Sequence, residues 1–220
     1  MSPRDPTSAR YFNQAGIKLR WDANVDAAGF DLANNAALLA RLTGAPDYST
    51  IHISRLAAGD GLILRVSNAA VFQYPSEYAL ATAARQGTRL LIDSIYVRKE
   101  LQGLGVGTRS VVISLTEAKT LGCRSVALTA AGSARNRQLF FGYHVWPVMG
   151  FDALLPAEKK LLLPPSLAEV ARLSGLMQSE AGRRWWYDNG IALDLEFDLV
   201  DASISWQLLD RYVKRKGICV

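Results

Sequence analysis

The chain is poor in the residues that most often announce chemistry on their own. It holds two cysteines, Cys123 and Cys219, and two histidines, His52 and His144, all far apart in sequence. Such a set cannot form a disulfide framework and contains no metal-ligand spacing, so no metal is expected. Long apolar runs are missing too. No stretch reaches the roughly 18 apolar residues of a membrane span, and the start, Met1 to Gln14, is polar with no hydrophobic signal core. A reduced cytoplasmic setting, away from membranes, is therefore the expectation. Charge of one sign does not accumulate either. There are 25 Lys and Arg against 20 Asp and Glu, split 12 to 9 over residues 1–110 and 13 to 11 over residues 111–220. That mild surplus suits an anionic small molecule and is weak support for nucleic acid.

What is present suffices for a globular fold. Half of the 220 residues are apolar, enough to bury a core in one domain with a small appendage. Alternation of Ile17, Leu19 and Trp21 predicts a strand at 17–21. Helical spacing of Phe30, Leu32, Leu38, Leu39 and Leu42 predicts a helix over 30–43, stopped by Gly44 and Pro46. Thr50–Leu56 and Leu62–Ser67 read as a hairpin turned at Asp60-Gly61. Ser76 to Gln86 reads as a short helix with Ser76 as N-cap. Residues 89–97 are apolar on both alternating sets, as in a central strand. A helix follows from about Thr108 to Leu121, then a buried strand at Ser125–Thr129. After Pro156 the pattern turns mainly helical. Ser166 and Glu169 have capping-box spacing, Ser179–Asp188 and Ser203–Lys216 read as helices, and Ile191–Leu199 as a strand. The expected organisation is a domain over 1–155 and a mainly helical appendage over 156–220.

The informative segment is Val97-Arg98-Lys99-Glu100-Leu101-Gln102-Gly103-Leu104-Gly105-Val106-Gly107-Thr108. Glycines at 103, 105 and 107 let backbone approach a ligand closely, and unpaired N–H groups at a helix start converge on an anion. Arg98, Lys99 and Arg109 are expected to add positive charge. A nucleotide P-loop needs Lys followed by Ser or Thr after the last glycine, whereas Thr108-Arg109 stands here. The dinucleotide fingerprint starts directly at the strand end, whereas five residues intervene before Gly103.

The spacing Gln102-x-x-Gly105-x-Gly107, after a strand and before a long helix, resembles the acetyl-CoA loop of the GCN5-related N-acetyltransferase (GNAT) superfamily. Gly150-Phe151 is similar to a second element of that family, and the resemblance covers residues 89–151. It implies a mixed α/β (α+β) fold with a central mixed sheet flanked by helices. It further implies an acyltransferase that moves an acetyl group from acetyl-CoA, or another acyl-CoA, directly to a primary amine. By the same resemblance the pyrophosphate lies on Gln102, Gly103, Leu104, Gly105, Val106, Gly107 and Thr108. The pantetheine arm pairs with the backbone of Ile95 and Val97 between two strands, and Asn136 matches an asparagine often found after the second one.

Transfer from a thioester needs a free amine, although a lysine-like amine titrates near ~10.4, and it needs a proton for the departing thiolate. Asp93, where many relatives carry Glu, is the candidate base, with Glu77 behind it. The family's usual tyrosine acid is replaced by Trp146, so Tyr143, or else His144, is the candidate acid. Two rivals stay open: a fold-retaining binding protein without turnover, and an acetyltransferase acting on aminoacyl-tRNA. Trp185-Trp186-Tyr187 beside Arg183 and Arg184 reads as helix packing in preference to an RNA-stacking patch.

Overall fold

A computed structural model of the protein describes residues 4–23, 25, 35–57, 60–83 and 87–220. The chain forms two compact units, residues 1–126 with 215–220, and residues 127–214. The boundary expected after residue 155 lies inside the second unit.

In the first unit, strand β1 (Lys18–Trp21) runs parallel to β2 (Thr50–Arg55). β2, β3 (Asp60–Ser67), β4 (Ser76–Ala83) and β5 (Gly87–Ser94) then form an antiparallel meander. One sheet face is apolar: Ile51, Ile53, Leu62, Leu64, Val66, Tyr78, Leu80, Leu90 and Ile92 are buried. Each such aliphatic side chain contributes about 1.5–3 kcal/mol relative to exposure. The helices are α1 (Pro6–Tyr11), α2 (Ala36–Leu42) and α3 (Val106–Thr120). α3 buries Val111, Leu115 and Ala118.

α3 is tied to α2 by polar contacts that its sequence makes possible. The hydroxyls of Ser110 and Ser114 donate to the carbonyls of Gly44 (2.7 Å) and Leu42 (2.6 Å), which the end of α2 leaves without helical partners. Arg41 forks onto Glu117 at 2.7 and 3.1 Å.

The second unit receives β6 (Ser125–Ala130) and contains β7 (Leu193–Asp198), with α4 (Gly142–Val148), α5 (Ala157–Lys160), α6 (Leu173–Met177), α7 (Glu180–Asn189) and most of α8 (Ile204–Lys216). Its core gathers Tyr143, Phe151, Leu173, Leu176, Trp186 and Phe197. Trp186 is fully buried and its indole N–H donates to the Tyr143 carbonyl at 2.7 Å, the packing role expected for that aromatic run.

Several expected elements differ. Ser76–Ala83 is a strand and not a helix: Ser76, Tyr78 and Leu80 are buried, and their register with β3 and β5 has period two. Among the described residues, no extra helix therefore separates the hairpin from the central strand. Asp60-Gly61 lies within β3 and is not the turn between the two strands. The helix expected at 30–43 is described only from Ala36; Phe30 and Leu32 lie outside the described residues. Ser166 and Glu169 open no helix, because Pro165–Leu167 is a single 3-10 turn whose cap makes no side-chain hydrogen bond.

Candidate active site

The end of β5 departs from regular pairing in a way that aims one side chain. Glu77 faces Ser94 while Tyr78 faces Ile92, so Asp93 is the extra residue of a β-bulge. A bulge bends its strand and re-aims the extra residue, and such irregularities recur beside active sites. Asp93 is exposed, on the face opposite Leu90 and Ile92. Next to it Glu77 accepts a hydrogen bond from Arg65, and His52 pairs with Asp22 at 2.7 Å. The Arg65 guanidinium is held charged above its ordinary range, first by Glu77 and then by the negative charges of Asp22 and Asp93. Glu77 thus spends its carboxylate on Arg65, whereas Asp93 feels Arg65 only at longer range. Arg65 gave no signal in the sequence, because its partner lay in a segment read as helical.

Beyond the bulge, Val97 forms an isolated antiparallel bridge with Phe72. The flanking bonds run from Arg98 N–H to Val71 O (2.9 Å) and from Gln73 N–H to Tyr96 O (2.8 Å), so the N–H and C=O of Val97 itself point away from Phe72. The Gln102 side chain donates to the Val97 carbonyl at 3.0 Å, folding the chain back on itself through a 3-10 turn at Lys99–Leu101.

The glycines then do two different jobs. Gly103 has φ +78°, and a Cβ there would meet nothing within 4 Å. Gly105, at φ +72°, caps α3 in the left-handed region; a Cβ would fall 2.6 Å from Arg109 Nη1 and 3.0 Å from Ile218 Cδ1. The first bond of α3 runs from Arg109 N–H to Gly105 O at 3.1 Å. Consequently the N–H groups of Gly103, Gly105, Val106, Gly107 and Thr108 have no acceptor among the described residues. Five main-chain donors, four of them opening a fifteen-residue helix at its positive end, make a cradle for an anion.

The side-chain charges around this cradle differ from expectation. Arg109 does not face the anion site; it is 5% exposed and its Nη2 lies 2.7 Å from Asp5 Oδ1. Arg98, which is exposed, lies 3.4 Å from Glu100 and donates to the Ala69 carbonyl at 3.3 Å. Lys99 is exposed.

In the second unit, Asn136 accepts the Ser133 N–H at 2.7 Å and the Ser133 hydroxyl at 3.0 Å, which fixes the loop after β6. Tyr143 is fully buried, and its hydroxyl donates to the Tyr187 carbonyl at 2.8 Å. Burial, with the nearby Tyr187 and Asp188, pushes its phenol above the ordinary range, against the lowering effect of Arg137. Phe141 and His144 stack around the same Tyr187 ring, and Arg137 lies over it at 4.8 Å. The Trp146 ring packs edge-on against Phe151.

Comparison with known proteins locates this arrangement. Residues 69–143 match the model of the acetyltransferase (GNAT) family. No curated protein matches the chain. Among solved structures the chain is similar to a GNAT family acetyltransferase from Elizabethkingia anophelis with acetyl-CoA bound: 12% identity, TM-score 0.33, 63% of this chain and 76% of that one. It is also similar to nourseothricin acetyltransferase, at 14% identity and TM-score 0.34, over 69% of this chain and 84% of that one. The stretch that is similar to the acetyltransferase (GNAT) family, residues 69–143, is the one that carries the bulged strand, the glycine loop and the long helix.

Proposed function

We propose that the protein is an acyl-CoA-dependent N-acetyltransferase that moves an acetyl group directly onto a primary amine. The observation that carries this reading is the row of five N–H donors at Gly103 and Gly105–Thr108 with no acceptor among the described residues. Their number and direction fit a diphosphate, and the open space over Gly103 lets it approach the main chain. Gln102 holds the loop against Val97, and the Val97 N–H, turned away from Phe72, suits pairing with a pantetheine amide alongside Ile95. Asn136 stiffens the loop after β6.

Acetyl-CoA, when bound, supplies the activated thioester, and the chain's own residues supply position and proton movement. Asp93, aimed by the bulge and free of a direct ion pair among the described residues, accepts the proton of the attacking amine. Glu77 is occupied by Arg65 and is not the base.

Thiol release from acetyl-CoA, measured with a panel of amines that includes an aminoacyl-tRNA, tests the reading. Replacing Asp93 by Asn should lower kcat on the order of 100-fold while acetyl-CoA still binds. Absence of both binding and thiol release defeats the proposal, and an unaltered kcat in the variant removes Asp93 from its role. The buried, donated hydroxyl of Tyr143 favours one rival, a protein that binds acetyl-CoA without turnover. Binding with no thiol release from any amine would select it.

A further inference from the structure

The fate of Arg109 is the least expected feature near the glycine loop. Its guanidinium, buried at the start of α3, makes four contacts: Nη2 to Asp5 Oδ1 (2.7 Å), Nε to Asp5 Oδ2 (3.1 Å) and Ser8 Oγ (3.0 Å), and Nη1 to the Leu104 carbonyl (2.9 Å). Asp5 is itself a hub. It caps α1 through the N–H groups of Thr7 and Ser8 and accepts the Cys219 N–H at 2.9 Å. Ile218, beside Cys219, packs toward Gly105.

The Leu104 carbonyl matters because it shares a peptide plane with the Gly105 N–H. In a trans peptide the two point in opposite directions, so fixing one fixes the other. That plane joins Leu104 to Gly105 and turns through Leu104 ψ and Gly105 φ; Gly105, at φ +72° and without a Cβ, puts little steric barrier in its way. A flip would replace an N–H by a carbonyl oxygen in the anion cradle, turning attraction into repulsion. Arg109 prevents the flip by holding the carbonyl on the far side, and Asp5 holds Arg109.

We infer that Arg109, locked by Asp5, is a positioning residue for the cofactor loop: it sets the orientation of the 104–105 peptide and so the affinity for the diphosphate of acetyl-CoA. The inference rests on the acetyl-CoA reading above. The charge of Arg109 is neutralised by Asp5 and is not the source of attraction.

Arg109→Lys retains a cation for Asp5 but lacks the fork that reaches Ser8 and Leu104 together. Asp5→Asn keeps the shape and removes the charge that holds Arg109. Both variants should raise the Kd and KM for acetyl-CoA on the order of tenfold, with kcat at saturation within about twofold of wild type. Without ligand, hydrogen exchange at the two bonded loop amides, Leu104 (to Leu101 O, 3.4 Å) and position 109 (to Gly105 O, 3.1 Å), should accelerate in both, while protection of the β2–β5 amides stays. Unchanged loop exchange and unchanged affinity in a variant that keeps this β2–β5 protection overturn the inference, and Asp5→Asn decides if Arg109→Lys fails to fold. Faster loop exchange in the variants of a wild-type protein that binds no acetyl-CoA would uphold the brace and reject the acetyl-CoA reading. A kcat loss with unchanged KM would assign Arg109 to chemistry and overturn its positioning role.

Discussion

Replacing Gly103 and Gly105 separately by Ala distinguishes backbone conformation from packing and from ligand approach. At Gly103 the new Cβ meets nothing within 4 Å, so the folded state loses only the left-handed backbone preference. That penalty is about 1–2 kcal/mol. In a chain of this size about 1 kcal/mol moves Tm by roughly 2–4 °C. Gly103→Ala should therefore melt only slightly below wild type. At Gly105 the same backbone cost is joined by a Cβ 2.6 Å from Arg109 Nη1 and 3.0 Å from Ile218 Cδ1. Arg109 is buried among hydrogen bonds and cannot retreat without giving them up, and disrupting a buried pair costs on the order of 3–5 kcal/mol. Gly105→Ala should melt well below Gly103→Ala. Acetyl-CoA affinity, measured by calorimetry at a temperature where both variants are folded, should follow a different order from stability. Gly103→Ala puts a methyl group into the cradle itself and should weaken binding by at least tenfold despite its small Tm change. If Gly103→Ala binds acetyl-CoA like wild type, the main-chain cradle is not where the diphosphate sits.

Tyr143→Phe removes the hydroxyl that donates to Tyr187. If that hydroxyl protonates the leaving thiolate, kcat falls by about 100-fold or more with little change in Tm; a purely structural tie gives the reverse, a lower Tm and an intact kcat. The buried, committed proton points to the second outcome, and a kcat collapse would contradict it. Asp5 supplies a pH test. Burial raises its carboxyl, but the bonds from Arg109, Cys219 and Ser8 outweigh this and hold it well below the usual carboxylate range. A depressed folded-state pKa gives stability that is present above the unfolded value, near ~3.9, and is lost as pH falls toward the folded one. In urea unfolding, Asp5→Asn should be less stable than wild type at neutral pH, and the gap should narrow below about pH 4. A gap independent of pH would remove Asp5 from the account.

The parts of this fold readable from residue order are those where local chemistry and tertiary burial agree. Gly103 to Thr108 led to the expectation of an anion-binding helix start, and the structure leaves five of their six N–H groups without acceptors among the described residues, although α3 opens at Val106, earlier than the apolar spacing implied, because left-handed Gly105 is the cap. Ser76–Ala83 misled because Glu, Ala and Leu favour helices and alanines at 79 and 81 blur the contrast between faces; burial of Tyr78 and Leu80 between two strands overrode that propensity. That misreading hid the Asp93 bulge and the Arg65–Glu77 pair, which exist only through the pairing of β4. Arg109 misled for a related reason: a cation beside a phosphate loop looks like a ligand, and its real partner, Asp5, lies 104 residues away. The acceptor side has no short-range signature of this kind.

The stitching of α3 to α2 bears on how a ligand is received. For α3 to slide along its axis, Ser110, Ser114 and Glu117 would have to release Gly44, Leu42 and Arg41 together. The donor end of the helix is consequently stationary, aligned before any guest arrives, and little ordering entropy remains to be lost there on association. Under the proposed function, adaptation to acceptors of different shape would then come from parts of the chain other than this anchored pair of helices.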